Sequence, residues 1–350
     1  MSMNVRSIAS SIVFLVACTL AWDALCGSPE SLSRVGGDYV FSGDIDFGAP
    51  GAWDYITLDS GRLYLGHADK VTVVDVATKK IIGSVAPISR SHGIAIVPAL
   101  RKGYATSGGD GVLKVFSLEN FKISKEIPVG KDADGVIFDV HTNSVIVMIG
   151  DGQQVVTVDP RTDTVVHSVM LPGNPEFAAV DGRGKVFVNI ESSGHVAKID
   201  IASGHIDAVW SLAGCKSPHG LAYDSHSDRL FSGCANKVLV VIDPSSGKNV
   251  ATLPIGAYSD GVGIDVSRHR VFSPNGDGTL TVINEGANDK FSVLRTTPTF
   301  LGGRSMAIDP RNGTLFITHG DTKIKSPRGD FRELRFGWDN AEVAMFSPND

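Results

Sequence analysis

The segment Val71-Thr72-Val73-Val74-Asp75 decides the fold of this chain, because variants of it recur along the sequence. The other copies occupy residues 113–117, 155–159, 196–200, 239–243 and 280–284, and the last positions of the six copies are 75, 117, 159, 200, 243 and 284. β-Branched residues favour a pleated strand, and a closing Asp, Asn or Ser can hydrogen-bond its own backbone to begin a turn. The constant spacing predicts a tandem array of small β units.

Each unit contains more than this one strand. In one unit, residues 220–224 and 229–233 form two earlier strands around a polar turn, and residues 248–255 form a strand after the 239–243 segment. Four short strands in a unit of this length are typical of a propeller blade. Parallel α/β folds need amphipathic helices between strands, and no useful stretch has helical periodicity. We therefore predict an all-β, seven-bladed β-propeller with four antiparallel strands per blade.

The innermost strands of the seven units are expected to begin near Asp54, Gly93, Gly135, Phe177, Gly220, Gly261 and Ser305. The last unit has candidate strands at 306–309, 314–318 and 342–346, after which the chain ends. Its missing fourth strand is predicted at 39–47. An N-terminal strand that completes the last blade closes the ring and removes exposed sheet edges.

The repeated strand and its Thr-Lys or Ser-Gly-Lys turn resemble the YVTN β-propeller repeat family, over roughly residues 39–346. The resemblance implies an exported or surface-associated protein of bacterial type, and it implies no chemistry, since most members have none assigned. The chain departs from the pattern at Ser117 and Asn284, which replace aspartate, and in an insertion at about 320–340. The insertion contains Arg328, Arg332 and Arg335 and is interpreted as a solvated loop or a partner-binding loop.

The N-terminus has the pattern of an export signal, with Arg6 followed by a mostly apolar stretch at 8–20. Residues 15–18 (Leu-Val-Ala-Cys) resemble a lipobox with a lipidated Cys18, whereas residues 24–26 (Ala-Leu-Cys) suit ordinary cleavage. Both alternatives remain open. We expect a signal at 1–26, a linker at 27–38, the propeller at 39–350, no transmembrane span, and a periplasmic or extracellular location, with lipid anchoring as one form of it.

The net charge of the chain limits the classes of binding partner that we expect. The chain has 350 residues, a formal net charge of −6 and a pI near 5.9. Nucleic acids and anionic membranes attract basic surfaces, so neither is expected as the main partner.

Two of the four cysteines, Cys215 and Cys234, lie outside the signal, at the entry of one blade and at the end of its second strand. An exported protein folds where disulfides persist. A disulfide and two separate buried thiols are both compatible with the sequence.

An ionisable residue stands just before each innermost strand. These seven positions, which should surround one mouth of the central channel, are Asp54, His92, Asp134, Glu176, His219, Asp260 and Arg304. With neutral histidines the four carboxylates and one guanidinium sum to −3. Crowded carboxylates raise one another's pKa unless a cation relieves them. The ring is therefore a candidate site for a divalent metal, a cationic ligand or another small polar ligand, and a merely solvated or internally paired mouth is the alternative.

The residue types suggest several functions. Asp134, Glu176, Asp260, His92 and His219 are candidate ligands, and mixed imidazole and carboxylate donors suit zinc, iron or manganese. The main hypothesis is a binding propeller. One alternative, by analogy of fold, is a metal-assisted lyase or lactonase with His92 or His219 as general acid or base. Another is a protein-interaction scaffold that uses the insertion.

Trp53 is expected in the core rather than stacked on a ligand.

Overall fold

The structure, a computed structural model, describes residues 39–48, 51–320, 322–325, 335–338 and 341–349. The predicted signal with Cys18, the linker at 27–38, Arg328 and Arg332 lie outside the described residues. Within the described ranges, no helix has the length and apolar character needed to cross a membrane.

Seven four-stranded antiparallel sheets form the blades of a propeller, which confirms the predicted fold class. Blade 1 contains β2 (Trp53–Asp59), β3 (Arg62–His67), β4 (Lys70–Asp75) and β5 (Lys80–Val85), and blade 2 contains β6 (Ser91–Val97), β7 (Lys102–Ser107), β8 (Val112–Ser117) and β9 (Ile123–Pro128). Blade 3 contains β10 (Ala133–Asp139), β11 (Ser144–Ile149), β12 (Gln154–Asp159) and β13 (Thr164–Met170). Blade 4 contains β14 (Pro175–Val180), β15 (Lys185–Ile190), β16 (His195–Asp200) and β17 (Ile206–Ser211). Blade 5 contains β18 (Pro218–Asp224), β19 (Arg229–Cys234), β20 (Val238–Ile242) and β21 (Asn249–Pro254); blade 6 contains β22 (Gly263–Asp265), β23 (Arg270–Asn275), β24 (Thr279–Gly286) and β25 (Lys290–Pro298).

Blade 7 joins the two ends of the described chain. Its strands are β26 (Met306–Ile308), β27 (Leu315–His319), β30 (Glu342–Pro348) and β1 (Tyr39–Asp46). β1 pairs antiparallel with β30, from Tyr39 opposite Pro348 to Asp46 opposite Glu342. The N-terminal strand therefore completes the last blade, as the sequence predicts.

The predicted insertion leaves blade 7 between β27 and β30. Its described part is a two-stranded antiparallel ribbon made of β28 (Thr322–Lys325) and β29 (Arg335–Trp338). The ribbon departs from the end of β27 and returns at the start of β30, so it is attached at the end of the blade where Arg304 precedes β26.

The core lies between the faces of neighbouring blades. Six second strands place an aromatic side chain at almost the same point: Tyr64, Tyr104, Phe187, Phe231, Phe272 and Phe316, each at most 1% exposed. Each large ring removes apolar surface from water and fills the wedge between two sheets. This layer fixes the angle between blades and keeps the innermost strands around a common channel.

Glu285 breaks the pattern of the repeat. The residue that follows the closing polar position is Val76, Leu118, Pro160, Ile201 or Pro244 in the preceding units, and Glu285 in blade 6. Its side chain is almost buried and accepts a hydrogen bond from Ser227 Oγ at 3.1 Å. Burial, then the negative charge of Asp224, raises the pKa of Glu285 to about 7.

We predict that Glu285→Gln stabilises the protein at alkaline pH. The folded state raises this pKa above its unfolded value, so folding is penalised as pH rises from about 4.5 to 7. An uncharged amide removes that penalty, and the variant should gain on the order of 1–3 kcal/mol at pH 8 and almost nothing at pH 4.5. Urea unfolding at the two pH values measures the difference.

The exposed Glu119, changed to Gln, is the matched control and should show no comparable pH-dependent gain. An E285Q variant that is no more stable than wild type at pH 8 would contradict the burial of a charged carboxylate here.

Candidate functional site

Five of the predicted ring residues are the second residue of an innermost strand rather than the residue before it, whereas Asp260 and Arg304 lie shortly before β22 and β26. Each of the seven has an ion-pair contact with another member of the ring. In the first five blades the pairing of the first two strands skips at this point, for example between Pro218 and Leu221 in blade 5. Such a bulge bends the strand and redirects a side chain. The ring residue is thereby released from the ladder and turned towards the channel mouth.

Glycine follows the ring residue in four blades because the next blade leaves no space. A Cβ atom at Gly220 would lie 2.6 Å from the carbonyl carbon of Gly261, and one at Gly93 would lie 2.7 Å from the amide nitrogen of Val136. Both neighbours are main-chain atoms that cannot move without displacing a strand. The innermost strands therefore approach backbone to backbone at the level of the ring.

Side chains of the preceding blade hold the main chain of two ring residues. Thr106 Oγ1 donates to the carbonyl oxygen of Asp134 at 2.6 Å, and Asn189 Nδ2 donates to that of His219 at 2.8 Å. Both donors are fully buried in second strands. These bonds fix the position of the ring residues from the neighbouring sheet.

Six of the seven ring residues form two triads, each made of one histidine and two acidic residues. The first triad consists of Asp54, His92 and Asp134, and the second triad consists of Glu176, His219 and Asp260. Within each triad a set of potential ligand atoms, one from each residue, lies within 4.8 Å of one another. Each triad places one imidazole close to two carboxylates, so that its three residues could hold a metal ion.

In the first triad, His92 Nδ1 is hydrogen-bonded to Asp54 Oδ2 and lies 3.5 Å from Asp134 Oδ1. His92 Nε2 packs towards Gly108, so Nδ1 is the nitrogen that faces the carboxylates. Asp134 Oδ1 is buried and accepts no hydrogen bond from the described residues. Burial, then the charges of Asp54 and Glu176, raises the pKa of Asp134 well above its usual range.

In the second triad, His219 Nδ1 lies 3.1 Å from Glu176 Oε1 and 3.0 Å from Asp260 Oδ1. Arg304 Nε lies 3.1 Å from the other oxygen of Asp260. Together with Arg304, the second triad therefore has two basic groups for its two carboxylates and is nearly neutral when His219 is protonated.

The pKa values of the second triad agree with this charge balance. Burial opposes a charge on His219, but the hydrogen bonds to Asp260 and Glu176 outweigh it and hold the imidazole pKa well above its usual range. Burial also acts to raise the pKa of Asp260, yet the charge of Arg304 and the hydrogen bond from His219 lower it overall. Burial raises the pKa of Glu176, which His219 only partly offsets.

Two aromatic residues form a floor beneath the ring. Tyr55 and Phe177, which follow ring residues of blades 1 and 4 where four other blades have glycine, stack with ring centroids 5.0 Å apart. The Tyr55 hydroxyl donates to Glu176 Oε1 at 3.1 Å. Blades 1 and 4 lie on opposite sides of a seven-membered ring, so this pair spans the channel. Beyond it lies a cavity of about 390 Å³ lined largely by apolar side chains, including Ile94 and Met306.

Sequence reasoning missed Glu191. Its Oε1 atom lies 3.6 Å from His219 Nε2, and its side chain is exposed at the mouth. The residue after the second strand is small in every other blade, namely Ala68, Gly108, Gly150, Ala235, Gly276 and Gly320. A comparison of this repeat position would have identified the one carboxylate among small residues.

The remaining predicted residues have structural positions. Cys215 and Cys234 form a disulfide, and Cys234 is the strand partner of Pro218, the residue before His219. The bond therefore anchors the loop that leads into the second triad. Trp53 is buried in the cluster between blades 7 and 1, which places it in the core as expected.

The comparisons with known proteins define the architecture. No family model matches the chain, and no curated protein matches its sequence. Among solved structures, the chain is similar to Kuenenia stuttgartiensis hydrazine synthase, with 18% identity, a TM-score of 0.68 and coverage of 77% of this chain and 92% of that chain. It is also similar to a structure of U3-55K, with 10% identity, a TM-score of 0.70 and coverage of 88% and 98%. At these identities the likeness shows the propeller fold alone.

We predict that Asp260→Asn lowers the pKa of His219. The substitution removes one of the two carboxylates that stabilise the imidazolium, while burial of the imidazole remains. Histidine resonances followed by NMR over a pH titration measure the shift, with His219→Gln to assign the signal. Asp151→Asn, at an exposed turn, should leave the titration unchanged. An unaltered midpoint in D260N would show that Asp260 does not stabilise the charged ring.

Proposed function

We propose that this protein is an exported binding propeller of the YVTN type that holds a divalent metal ion at the channel mouth, in the first triad. The observation that carries the proposal is the grouping of Asp54, His92 and Asp134 around one point, where no lysine or arginine of the described residues forms an ion pair with either carboxylate. The propeller fold itself is suited to binding or scaffold roles. Export is supported by the charged and then apolar opening at 1–26, with lipidation at Cys18 or cleavage after Cys26 as its two forms.

The donor set fits a first-row transition metal. Two carboxylate oxygens and one imidazole nitrogen suit zinc, manganese or iron better than calcium, which prefers six to eight oxygens. The buried Asp134 Oδ1 atom lacks a hydrogen-bond donor, and a metal ion would satisfy it. A metal would also relieve the repulsion that raises the pKa of Asp134.

The second triad is a poorer metal site, although its donors are equally close. Arg304 and protonated His219 already compensate Asp260 and Glu176. A metal there would have to displace a proton from His219, whose pKa is raised, and would compete with the guanidinium that already pairs with Asp260. We therefore assign the second triad a different role, as a fixed ionic network that supports the mouth.

We predict that the purified protein binds Zn²⁺ or Mn²⁺ and that His92→Gln and Asp134→Asn each weaken binding about tenfold or more, since each removes a ligand. Isothermal titration calorimetry on protein first stripped of metal measures the affinity, and elemental analysis of untreated protein identifies the ion. His226→Gln and Asp151→Asn, outside the ring, are the matched controls. Wild-type protein that binds neither ion, or ring variants that bind as tightly as the controls, would refute the metal site.

A lyase or lactonase at the same mouth is the second candidate, and the position of His219 favours it. Its Nδ1 atom is held by two carboxylates, and Nε2 lies towards exposed Glu191, so a proton on this ring is both stabilised and close to the mouth. A screen of lactones and uronate-type substrates with wild type and His219→Gln tests this function. Turnover that survives in H219Q would exclude the assignment of His219 as the acid or base.

A further inference from the structure

Arg304 is the ring residue that belongs to neither triad. Its Nε atom contacts Asp260, while its side chain remains 38% exposed at the mouth. The closest contact of the ion pair is made through Nε, at 3.1 Å from Asp260 Oδ2, which leaves the terminal nitrogens at the partly exposed end of the side chain. A guanidinium held through Nε is oriented and still able to bind.

The closure of the propeller places Arg304 beside the first triad. Blade 7 adjoins blade 1, and β26 packs next to β2. Arg304 lies just before β26, and Asp54 lies at the start of β2, so both residues are at the same mouth of the channel. The guanidinium is therefore the neighbour, around the ring, of a carboxylate that we assign to the metal site.

The basic groups of the ring differ in what they can offer a ligand. His219 Nδ1 is enclosed by Glu176 and Asp260, and His92 Nδ1 faces the carboxylates of the first triad. Arg304 is the ring residue whose side chain carries paired N–H donors in a fixed fork at the mouth. A guanidinium matches carboxylate and phosphate oxygens through paired donors, and a charge-assisted bond of this kind is about twice as strong as a neutral one.

Three protein ligands leave positions on a metal ion open to an external ligand. We infer that the ring binds its metal together with a small oxyanion, a carboxylate in the first instance, which ligates the metal and is held by the terminal nitrogens of Arg304. This inference rests on the proposed metal site and names the class of ligand that the site recognises. Tyr55 and Phe177 stack across the channel below the ring and narrow it at that level.

The test measures the coupling between metal and anion. Mn²⁺ affinity is determined by calorimetry in the presence and absence of acetate, succinate or inorganic phosphate, after correction for the binding of each anion to Mn²⁺ in solution. The wild-type protein should bind Mn²⁺ about tenfold more tightly with a carboxylate present, a coupling of ordinary size for two linked ligands. A larger effect of phosphate than of either carboxylate would assign the site to phosphate instead of carboxylate and overturn that choice.

Two substitutions separate the role of Arg304 from simple charge balance. Arg304→Gln should bind Mn²⁺ but lose the anion effect, and Arg304→Lys should keep part of it because the charge remains without the paired donors. Arg311→Gln, in the same blade but paired with Asp309 in a turn, is the matched control and should behave as wild type. Thermal melting of each variant verifies that it is folded.

The outcomes distinguish the two proposals. Wild-type protein that binds no Mn²⁺ contradicts the metal site and this inference with it. Mn²⁺ binding that no anion strengthens, or an anion effect that persists unchanged in folded R304Q, leaves the metal site standing and overturns the role of Arg304.

Discussion

The pairing of β1 with β30 is the interaction on which the rest of the molecule depends. Seven blades enclose a channel only when the last sheet is complete, and blade 7 receives its outer strand from the opposite end of the described chain. Tyr39 adds a second tie, since its hydroxyl donates to the buried Asp265 of blade 6 at 3.0 Å. Closure also makes Arg304 and Asp54 neighbours although 250 positions separate them in the sequence. Without it, the first triad would lie at an open edge.

The repeat allowed the fold and the positions of the site to be predicted, because one period places equivalent residues at equivalent points. The terminal strands, the blade count and the location of the seven ring residues follow from that period alone. The division of the ring into two triads does not, since it depends on rotamers and distances that spacing does not encode. Tyr55 was missed for a related reason: it contacts Glu176 across the channel, and only the radius of the channel shows that a side chain can reach so far. Glu191 was missed because only the positions before the inner strands were compared.

The two triads contain the same functional groups but differ in charge balance, because their neighbours differ. Both hold an imidazole between two carboxylates in a site where burial penalises charge. In the second triad the charge of Arg304 and the hydrogen bond from His219 lower the pKa of Asp260 despite burial, and the bonds to Asp260 and Glu176 raise the pKa of His219 despite burial. No lysine or arginine of the described residues forms an ion pair with the first triad, and Asp134 is instead crowded by Asp54 and Glu176. The ion pair of Arg304 with Asp260 thus distinguishes a nearly neutral network from a group of carboxylates that a cation would stabilise.

An odd number of blades makes this asymmetry unavoidable. The two triads, each with a histidine between two acidic residues, fill six of the seven ring positions. The seventh position belongs to neither triad and lies between them. Arg304 occupies it, next to Asp260 of one triad and beside Asp54 of the other, while the single junction between two acids, Asp134 and Glu176, falls on the opposite side of the ring. The mouth therefore has a positive side and a negative side, although the scaffold is nearly symmetric. A ligand that carries charge of both signs, or a cation bound together with an anion, matches such a ring in only one orientation.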